Sequence, residues 1–308
     1  STAAQQSTSS STGGMKRLGI LQYVSHPALD EIHRGIIDAL KQQGFVEGKN
    51  IEIIDQNGQA DQSKLSTMSQ QLVDKRADVL VGIATPAVQA LANTTKSIPI
   101  VMGAVTDPVS AGLVKNMQHP GGNITGVYDQ PPVARQIELG LTLMPHATTV
   151  GMLYSSSEDN SKSQIDQATK QAERQGLTVK KFAVPSSNEI AQTVQVMSRQ
   201  VEFIYIPLDN TIANAMPTVV QEADKAGKPI ITAVDTMVKQ GGLATVGVNQ
   251  YQLGIKTGQM AAAILRGKSK LPIPPFTPSA REIPFSIGTR PRLLGSRYLM
   301  PCCVAPPS

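Results

Sequence analysis

The chain of 308 residues has no tryptophan and only two cysteines, the adjacent Cys302 and Cys303 near its end. Residues 1–301 therefore offer no disulfide, no thiolate nucleophile and no cysteine ligand for zinc. This excludes the disulfide-stapled and cysteine-zinc classes of protein. The lack of cysteine fits an oxidising compartment and equally fits the cytosol.

Long apolar runs and clustered positive charge are also missing. No stretch approaches the roughly 18 uninterrupted apolar residues that cross a bilayer. The net charge is +5, but three of these charges come from residues 281–308, and the other basic residues are spread singly. The sequence therefore predicts neither a membrane-spanning segment nor a nucleic-acid partner.

Enzyme motifs are absent as well, since no GxSxG, HExxH, P-loop or GxGxxG follows a predicted strand. Of the four histidines only His26 follows a strand, and no spacing among them is typical of metal ligands. Ser25 beside His26 is the one nucleophile–base pair to weigh, and nothing else in the sequence supports it. We expect a binding protein that uses no cofactor and no metal.

Residues 1–15 are predicted to be a disordered tether. The tract STAAQQSTSSSTGG has no apolar side chain larger than alanine, so it cannot offset the entropy lost on ordering. Such a tract fits the spacer of a lipoprotein whose signal has been removed, which predicts an extracytoplasmic protein. A cloning linker is the alternative.

Short apolar strands alternate with amphipathic helices along the rest of the chain. We predict a first lobe from 16–125 together with 249–280, and a second lobe from 126–248. A strand at 126–129 is predicted to begin the second lobe, and a short helical turn is predicted at 109–115. The predicted fold class is α/β, with two doubly wound parallel-sheet lobes joined by a hinge.

Ligands bind open parallel sheets beyond the carboxyl ends of the strands, where helices begin. The polar residues at these junctions are Ser25, His26, Thr85, Thr106, Asp107, Asn160, Asp209, Asn210 and Asp235. Each could instead only cap a helix. Hydroxyl groups dominate the first lobe and suit a carboxylate, whereas Asp209 and Asp235 in the second lobe suit an ammonium group. The division predicts an amino-acid zwitterion as the ligand.

Four tyrosines fall near the predicted mouth of this site: Tyr23, Tyr128, Tyr154 and Tyr251. An aromatic ring there can stack on an aromatic ligand, or it can simply pack against the core or rim.

Five junction motifs resemble those of the tryptophan- and tyrosine-type ABC transporter substrate-binding proteins. They are HPALD at 26–30, GIATPAVQAL at 82–91, AVTDPV at 104–109, PGGNITG at 120–126 and LDNT at 208–211. The resemblance extends from about Lys16 to Lys268. It implies a type I periplasmic-binding-protein fold that closes on an aromatic amino acid (Trp, Phe or Tyr), with a membrane permease as partner. It also implies a monomer.

The resemblance also implies roles for single residues. Thr85 and Thr106 match positions that hold the α-carboxylate, and Asp209 matches the position that holds the α-amino group. Asn210 and Asp235 are further candidates in the second lobe. Selectivity for the ligand side chain is expected near Ser25, His26 and Tyr23.

The sequence departs from the family pattern near its end. Residues 281–308 are rich in Pro and Arg, lack periodicity and hold both cysteines. We interpret this segment as an atypical tail, a non-native replacement of the usual ending. Two alternative functions stay open: a sensory domain of the same fold for another solute such as a nucleoside, and an enzyme on this scaffold.

Overall fold

A computed structural model describes residues 14–128, 130–267, 277–278 and 282–288. These residues form two lobes, each built on a six-stranded sheet. The predicted tether at 1–15 lies almost wholly outside the described residues, as do both cysteines.

The sheet of the first lobe is entirely parallel, in the order β11-β5-β4-β3-β1-β2. Its strands are β1 (Lys16–Gln22), β2 (Ile51–Asn57), β3 (Val79–Ile83), β4 (Ile100–Val105), β5 (Ile124–Tyr128) and β11 (Thr277–Pro278). Its helices are α1 (Pro27–Gln42), α2 (Gln62–Asp74), α3 (Thr85–Thr94) and α10 (Gln250–Leu265). Every residue of β3 is buried, as expected of a central strand covered by helices on both faces.

The second sheet has the order β12-β10-β9-β8-β6-β7 and is parallel except for β12. Its strands are β6 (Thr149–Ser155), β7 (Thr178–Val184), β8 (Phe203–Ile206), β9 (Ile230–Thr232), β10 (Ala244–Val248) and β12 (Glu282–Ile287). Its helices are α4 (Val133–Leu143), α5 (Asp159–Arg174), α6 (Ile190–Ser198), α7 (Asn210–Asn214), α8 (Met216–Lys225) and α9 (Asp235–Lys239), with a 3-10 turn at Ser187–Glu189. This pair of sheets has the predicted fold class.

Helix α1 begins the site and shows how sequence positions it. Pro27 occupies its first turn, where the missing N–H costs nothing. Ile32 and Ile36 lie on its buried face, which packs against α10. At Gly254 of α10 the two backbones come so close that any side chain would overlap the Ile32 carbonyl. The start of α1 is therefore held on a rigid helix pair.

The first lobe extends further along the chain than the predicted boundary at 125. The strand expected to open the second lobe is β5, which pairs with β4 in the first sheet through Ile100 and Ile124. The strand begins inside the PGGNITG motif at 120–126, and a local pattern does not show which sheet a strand joins. The structure explains one of its glycines, since a side chain at Gly126 would overlap the backbone of Met102.

Two further segments can be compared with the sequence prediction. The short helical turn expected at 109–115 corresponds to a series of turns over 108–112, with hydrogen bonds such as Ala111 N–H to the Asp107 carbonyl. The segment expected to be an atypical tail, 281–308, begins with strand β12, which pairs antiparallel with β10. Pro284 interrupts the apolar pattern there, but a proline is tolerated in an edge strand. Residues 289–308 lie outside the described residues, so their origin stays a prediction.

Candidate ligand-binding site

A cavity lies between the lobes, where the carboxyl ends of the strands meet the starts of α1, α5, α7 and α10. It encloses about 420 Å³ of space between the protein atoms, a figure that includes open solvent. The first lobe contributes His26, Ala28, Leu29, Ala104, Thr106 and Gln250 to its walls, and the second contributes Asn160, Leu208, Asp209, Asn210, Ala213, Val234 and Met237.

Half of the predicted site residues line this cavity: His26, Thr106, Asn160, Asp209 and Asn210. Tyr23, Ser25, Thr85, Asp107 and Asp235 do not belong to its walls. The junction rule thus located the cavity, and the packing of each junction determines which side chains reach it.

Asp209 is buried at the start of α7 and accepts three hydrogen bonds from its own lobe. Its Oδ1 accepts from the backbone N–H of Ile212 at 2.8 Å, as a helix cap. Its Oδ2 accepts from the Ser155 N–H at 2.6 Å and from the Ser161 hydroxyl at 2.5 Å. Burial and repulsion from Glu158 raise the pKa of Asp209 to about 8. A ligand ammonium group beside Asp209 would favour its ionised form and so lower this pKa.

Glu158 is a fully buried acid that the sequence argument passed over. Its Oε1 accepts from the Asn210 side-chain amide at 2.7 Å and more weakly from the Asn210 N–H at 3.3 Å. Its Oε2 accepts from the Thr211 N–H at 2.9 Å and the Thr211 hydroxyl at 2.8 Å. A glutamate just before α5 is typical of an exposed charge that is favourable to the helix dipole, so its burial is not apparent from the sequence. Among the described ion pairs, none includes Glu158 or Asp209.

Three polar atoms on the cavity walls are buried with no hydrogen-bond partner in the described chain: His26 Nδ1, Thr106 Oγ1 and Asn160 Oδ1. The Asn160 orientation is fixed because its Nδ2 donates to the Leu208 carbonyl at 3.0 Å. Buried polar atoms normally have partners. These three are therefore the groups best placed to meet a ligand.

Thr85 opens α3 and is 1% exposed, and its Oγ1 also has no partner in the described chain. The residue before it, Ala84, has φ 84° and ψ 152°, a backbone region that normally requires glycine. Such strain concentrates at ligand-binding turns. The strained backbone at Ala84 and the unpartnered Thr85 hydroxyl thus lie at the same junction, which the sequence analysis predicts to hold the ligand carboxylate.

The other predicted residues have structural partners. The Ser25 hydroxyl donates to the Asp30 carboxylate at 2.8 Å, and Asp235 forms an ion pair with Lys239 at 3.9 Å. The Tyr23 hydroxyl donates to the Ala60 carbonyl at 3.3 Å, and burial with the nearby Glu158 raises the pKa of Tyr23 to about 12.

Hydrogen bonds join the two lobes around the cavity. Asp107 Oδ2 accepts from the Ser163 hydroxyl at 2.9 Å, and Asp159 accepts from the Gln89 side chain at 2.9 Å. The Gln62 side chain donates to the Ser157 carbonyl at 2.9 Å. The lobes therefore meet in a closed arrangement.

None of the helices within the described ranges is both long and apolar enough to span a bilayer. Nowhere in the described part of the chain do three or more His, Cys, Asp or Glu side chains gather so that they could hold a metal ion.

The chain is similar to known proteins in sequence and in fold. Residues 17–283 match the family model described as ABC transporter substrate binding protein. The chain is 38% identical to a tyrosine-binding protein of Clostridioides difficile, over 92% of this chain and 82% of that protein.

Two solved structures have the same fold at substantial identity. One is an ABC domain in complex with L-Trp from Streptococcus pneumoniae, 47% identical, with a TM-score of 0.86 over 89% of this chain and 92% of that chain. The other is the ligand-free, open structure of a substrate-binding protein with adhesive properties from Clostridium difficile. It is 37% identical, with a TM-score of 0.69 over 91% of this chain and 95% of that chain.

Proposed function

The chain belongs to the family of ABC transporter substrate-binding proteins, and we propose that it captures an aromatic L-amino acid in the cavity between its lobes. Family membership makes it an extracytoplasmic binding protein with an ABC permease as partner, rather than an enzyme. The observation that carries the ligand proposal is the cavity itself, where unpartnered polar atoms and a buried acid stand beside an apolar wall.

The polar groups divide as a zwitterion requires. Asp209 and the Asn160 carbonyl oxygen are acceptors in the second lobe and would hold the α-ammonium group. The Thr106 hydroxyl, with the start of α3 and the Thr85 hydroxyl, would hold the α-carboxylate from the first lobe. Each end of the ligand would then bind a different lobe, so binding would favour closure.

The apolar wall supports an aromatic side chain. Leu29 faces this part of the cavity from the first lobe, and Leu208, Val234 and Met237 face it from the second. The names of two relatives point the same way, since one is a tyrosine-binding protein and the other holds L-Trp. A ring placed between these residues would bury a large apolar surface.

Closure of the lobes supports binding in this arrangement. The TM-score is 0.86 with the L-Trp complex and 0.69 with the ligand-free, open relative. Hydrogen bonds such as Asp107 to Ser163 hold the lobes together on this chain. The closed form is the one that a permease would receive.

The proposal also covers the oligomeric state, the role of the N-terminal tract and the lobe boundaries. We infer a monomer, since both lobes must be free to face a permease. The polar tract at 1–14 would serve as a spacer that links the lobes to a lipid anchor. The first lobe would comprise 16–128 with 249–267 and 277–278, and the second 133–248 with 282–288, which follows sheet membership.

A thermal-shift screen of ligand-stripped protein tests the ligand class. L-Trp, L-Tyr and L-Phe should raise the melting temperature, because a ligand that binds only the folded state stabilises it. L-Leu should raise it less, and adenosine should not raise it. A shift with adenosine alone, or with none of the aromatic amino acids, would refute the proposal.

A further inference from the structure

His26 presents an unusual group to the cavity. Its side chain is 6% exposed and lines the wall at the start of α1. Its Nε2 lies 2.9 Å from the Asn210 Oδ1 of the other lobe, whereas no group of the described chain bonds to Nδ1.

The surrounding hydrogen bonds fix which nitrogen carries the proton. The partners of the Glu158 carboxylate are hydrogen-bond donors, among them the N–H groups of Asn210 and Thr211. The Asn210 group 2.7 Å from Glu158 must therefore be its Nδ2, which leaves Oδ1 to face His26. Since a carbonyl oxygen only accepts, His26 Nε2 must donate. Burial lowers the pKa of His26, so the ring is neutral and Nδ1 is a bare acceptor.

The position of His26 indicates which part of a ligand it would contact. His26 directly precedes the first turn of α1, which supplies Ala28 and Leu29 to the cavity. Ala28 packs with Ala213 and Met237 in the core of the second lobe. His26 is thus followed directly by apolar residues of the cavity wall, and its Nδ1 is a buried acceptor with no partner in the described chain.

We propose that His26 Nδ1 accepts a hydrogen bond from an N–H or O–H group on the ligand ring, so that the site selects tryptophan and tyrosine over phenylalanine. This inference rests on the proposed function. Glu158 and Asn210 act as positioning residues, because they fix the His26 tautomer. A ring without a donor would leave Nδ1 buried and unpaired, a penalty worth roughly 10- to 100-fold in affinity.

Matched ligand pairs test the proposal by calorimetry. L-Tyr is compared with L-Phe, and L-Trp with 3-benzothienyl-L-alanine, in which sulfur replaces the indole N–H. The wild-type protein should prefer the donor-bearing member of the pair that fits its cavity by roughly 10- to 100-fold, and His26→Leu should reduce that ratio to about threefold or less. His146→Leu, at an exposed histidine outside the cavity, should retain the wild-type ratio.

The outcomes separate this inference from the proposed function. Equal binding of both members of each pair by the wild type, or a ratio unchanged by His26→Leu, would overturn the role of His26 and leave aromatic binding intact. Equal weakening of every ligand by His26→Leu would show that His26 does not distinguish the ligand rings, which also overturns it. Failure of every aromatic amino acid to bind would instead refute the proposed function.

Nitrogen-15 NMR of labelled histidine provides a test that needs no variant of the site. The spectrum should show the Nε2–H tautomer for His26, and its Nδ1 resonance should shift when L-Trp binds but far less with 3-benzothienyl-L-alanine. The Nδ1–H tautomer, or the same shift with both ligands, would contradict the proposal.

Discussion

Glu158 and Asp209 together accept the three successive backbone N–H groups that open α7. Glu158 takes those of Asn210 and Thr211, and Asp209 takes that of Ile212. Two buried acids thus hold one short helix, and no described ion pair offsets their charge. This part of the cavity is suited to a ligand cation.

Asp209→Asn should weaken amino-acid binding by about 2–5 kcal/mol, because the ligand ammonium would lose its charged partner. A deaminated ligand such as 3-phenylpropionate should lose much less, which separates the charge effect from general damage to α7. Calorimetry measures both ligands. Asp235→Asn is the matched control, since Asp235 lies outside the cavity walls and pairs with Lys239. Equal losses for both ligands would argue against an ammonium contact.

Binding should depend on pH through Asp209. Its pKa in the folded, ligand-free protein is raised to about 8, so at neutral pH the carboxyl retains a proton that a ligand ammonium would displace. Affinity should therefore increase as pH rises from neutral towards about 8, with proton release on binding. Over this range His26, with its lowered pKa, stays neutral. Calorimetry in buffers of different ionisation enthalpy measures the released protons, and Asp209→Asn should abolish them.

The same shift affects the free protein. Because the folded pKa lies above the ordinary 3.8, the contribution of Asp209 to stability is present at acid pH and is lost as pH rises through about 8. Stability that is independent of pH in this range, in wild type and Asp209→Asn alike, would contradict the raised pKa.

Thr106→Val should weaken amino-acid binding while leaving the free protein as stable or more stable by about 1 kcal/mol, since it removes a buried hydroxyl without a partner. Thr85→Val should behave similarly. Ser198→Ala removes another buried, unpartnered hydroxyl, in helix α6 and outside the cavity walls. It should affect stability alone. Urea unfolding and calorimetry measure the two effects, and unchanged affinity in both threonine variants would exclude them as carboxylate ligands.

Ser163→Ala should reduce affinity by up to about tenfold, because it removes one hydrogen bond, to Asp107, that exists only when the lobes are closed. Ser110→Ala is the control, since the Ser110 hydroxyl donates to the Asp107 backbone carbonyl at 3.4 Å within the same lobe. Small-angle scattering should show a larger open fraction for Ser163→Ala at equal ligand concentration. Identical scattering and affinity for both variants would show that this bond does not favour closure.

Most of the fold follows from local patterns in the sequence. Strand β3 and helix α1 are apparent because continuous apolar runs and 3.6-residue periodicity are short-range signals. Strand membership of a sheet is a long-range property. The lobe to which β5 belongs depends on pairing between Ile100 and Ile124. Strand β12, which contains Pro284, likewise depends on its pairing with β10.

The sequence predicts where the cavity lies better than it predicts which side chains form the contacts in it. Junction residues such as Thr106 and Asp209 line the cavity, whereas the Ser25 hydroxyl, which lies before α1, donates to Asp30 in the first turn of that helix. Glu158 was missed because burial of an acid depends on donors that lie about fifty residues away in the chain. The His26 tautomer likewise requires the network that joins both lobes.

Calorimetric titration of refolded, ligand-stripped protein with L-Trp, L-Tyr, L-Phe, L-Leu and a purine nucleoside tests the central claim most directly. We predict tight binding of an aromatic amino acid, weaker binding of L-Leu and none of the nucleoside, with the aromatic binding lost in Asp209→Asn. Binding of the nucleoside alone, or of no ligand in the panel, would contradict the account of this cavity as an aromatic amino-acid site.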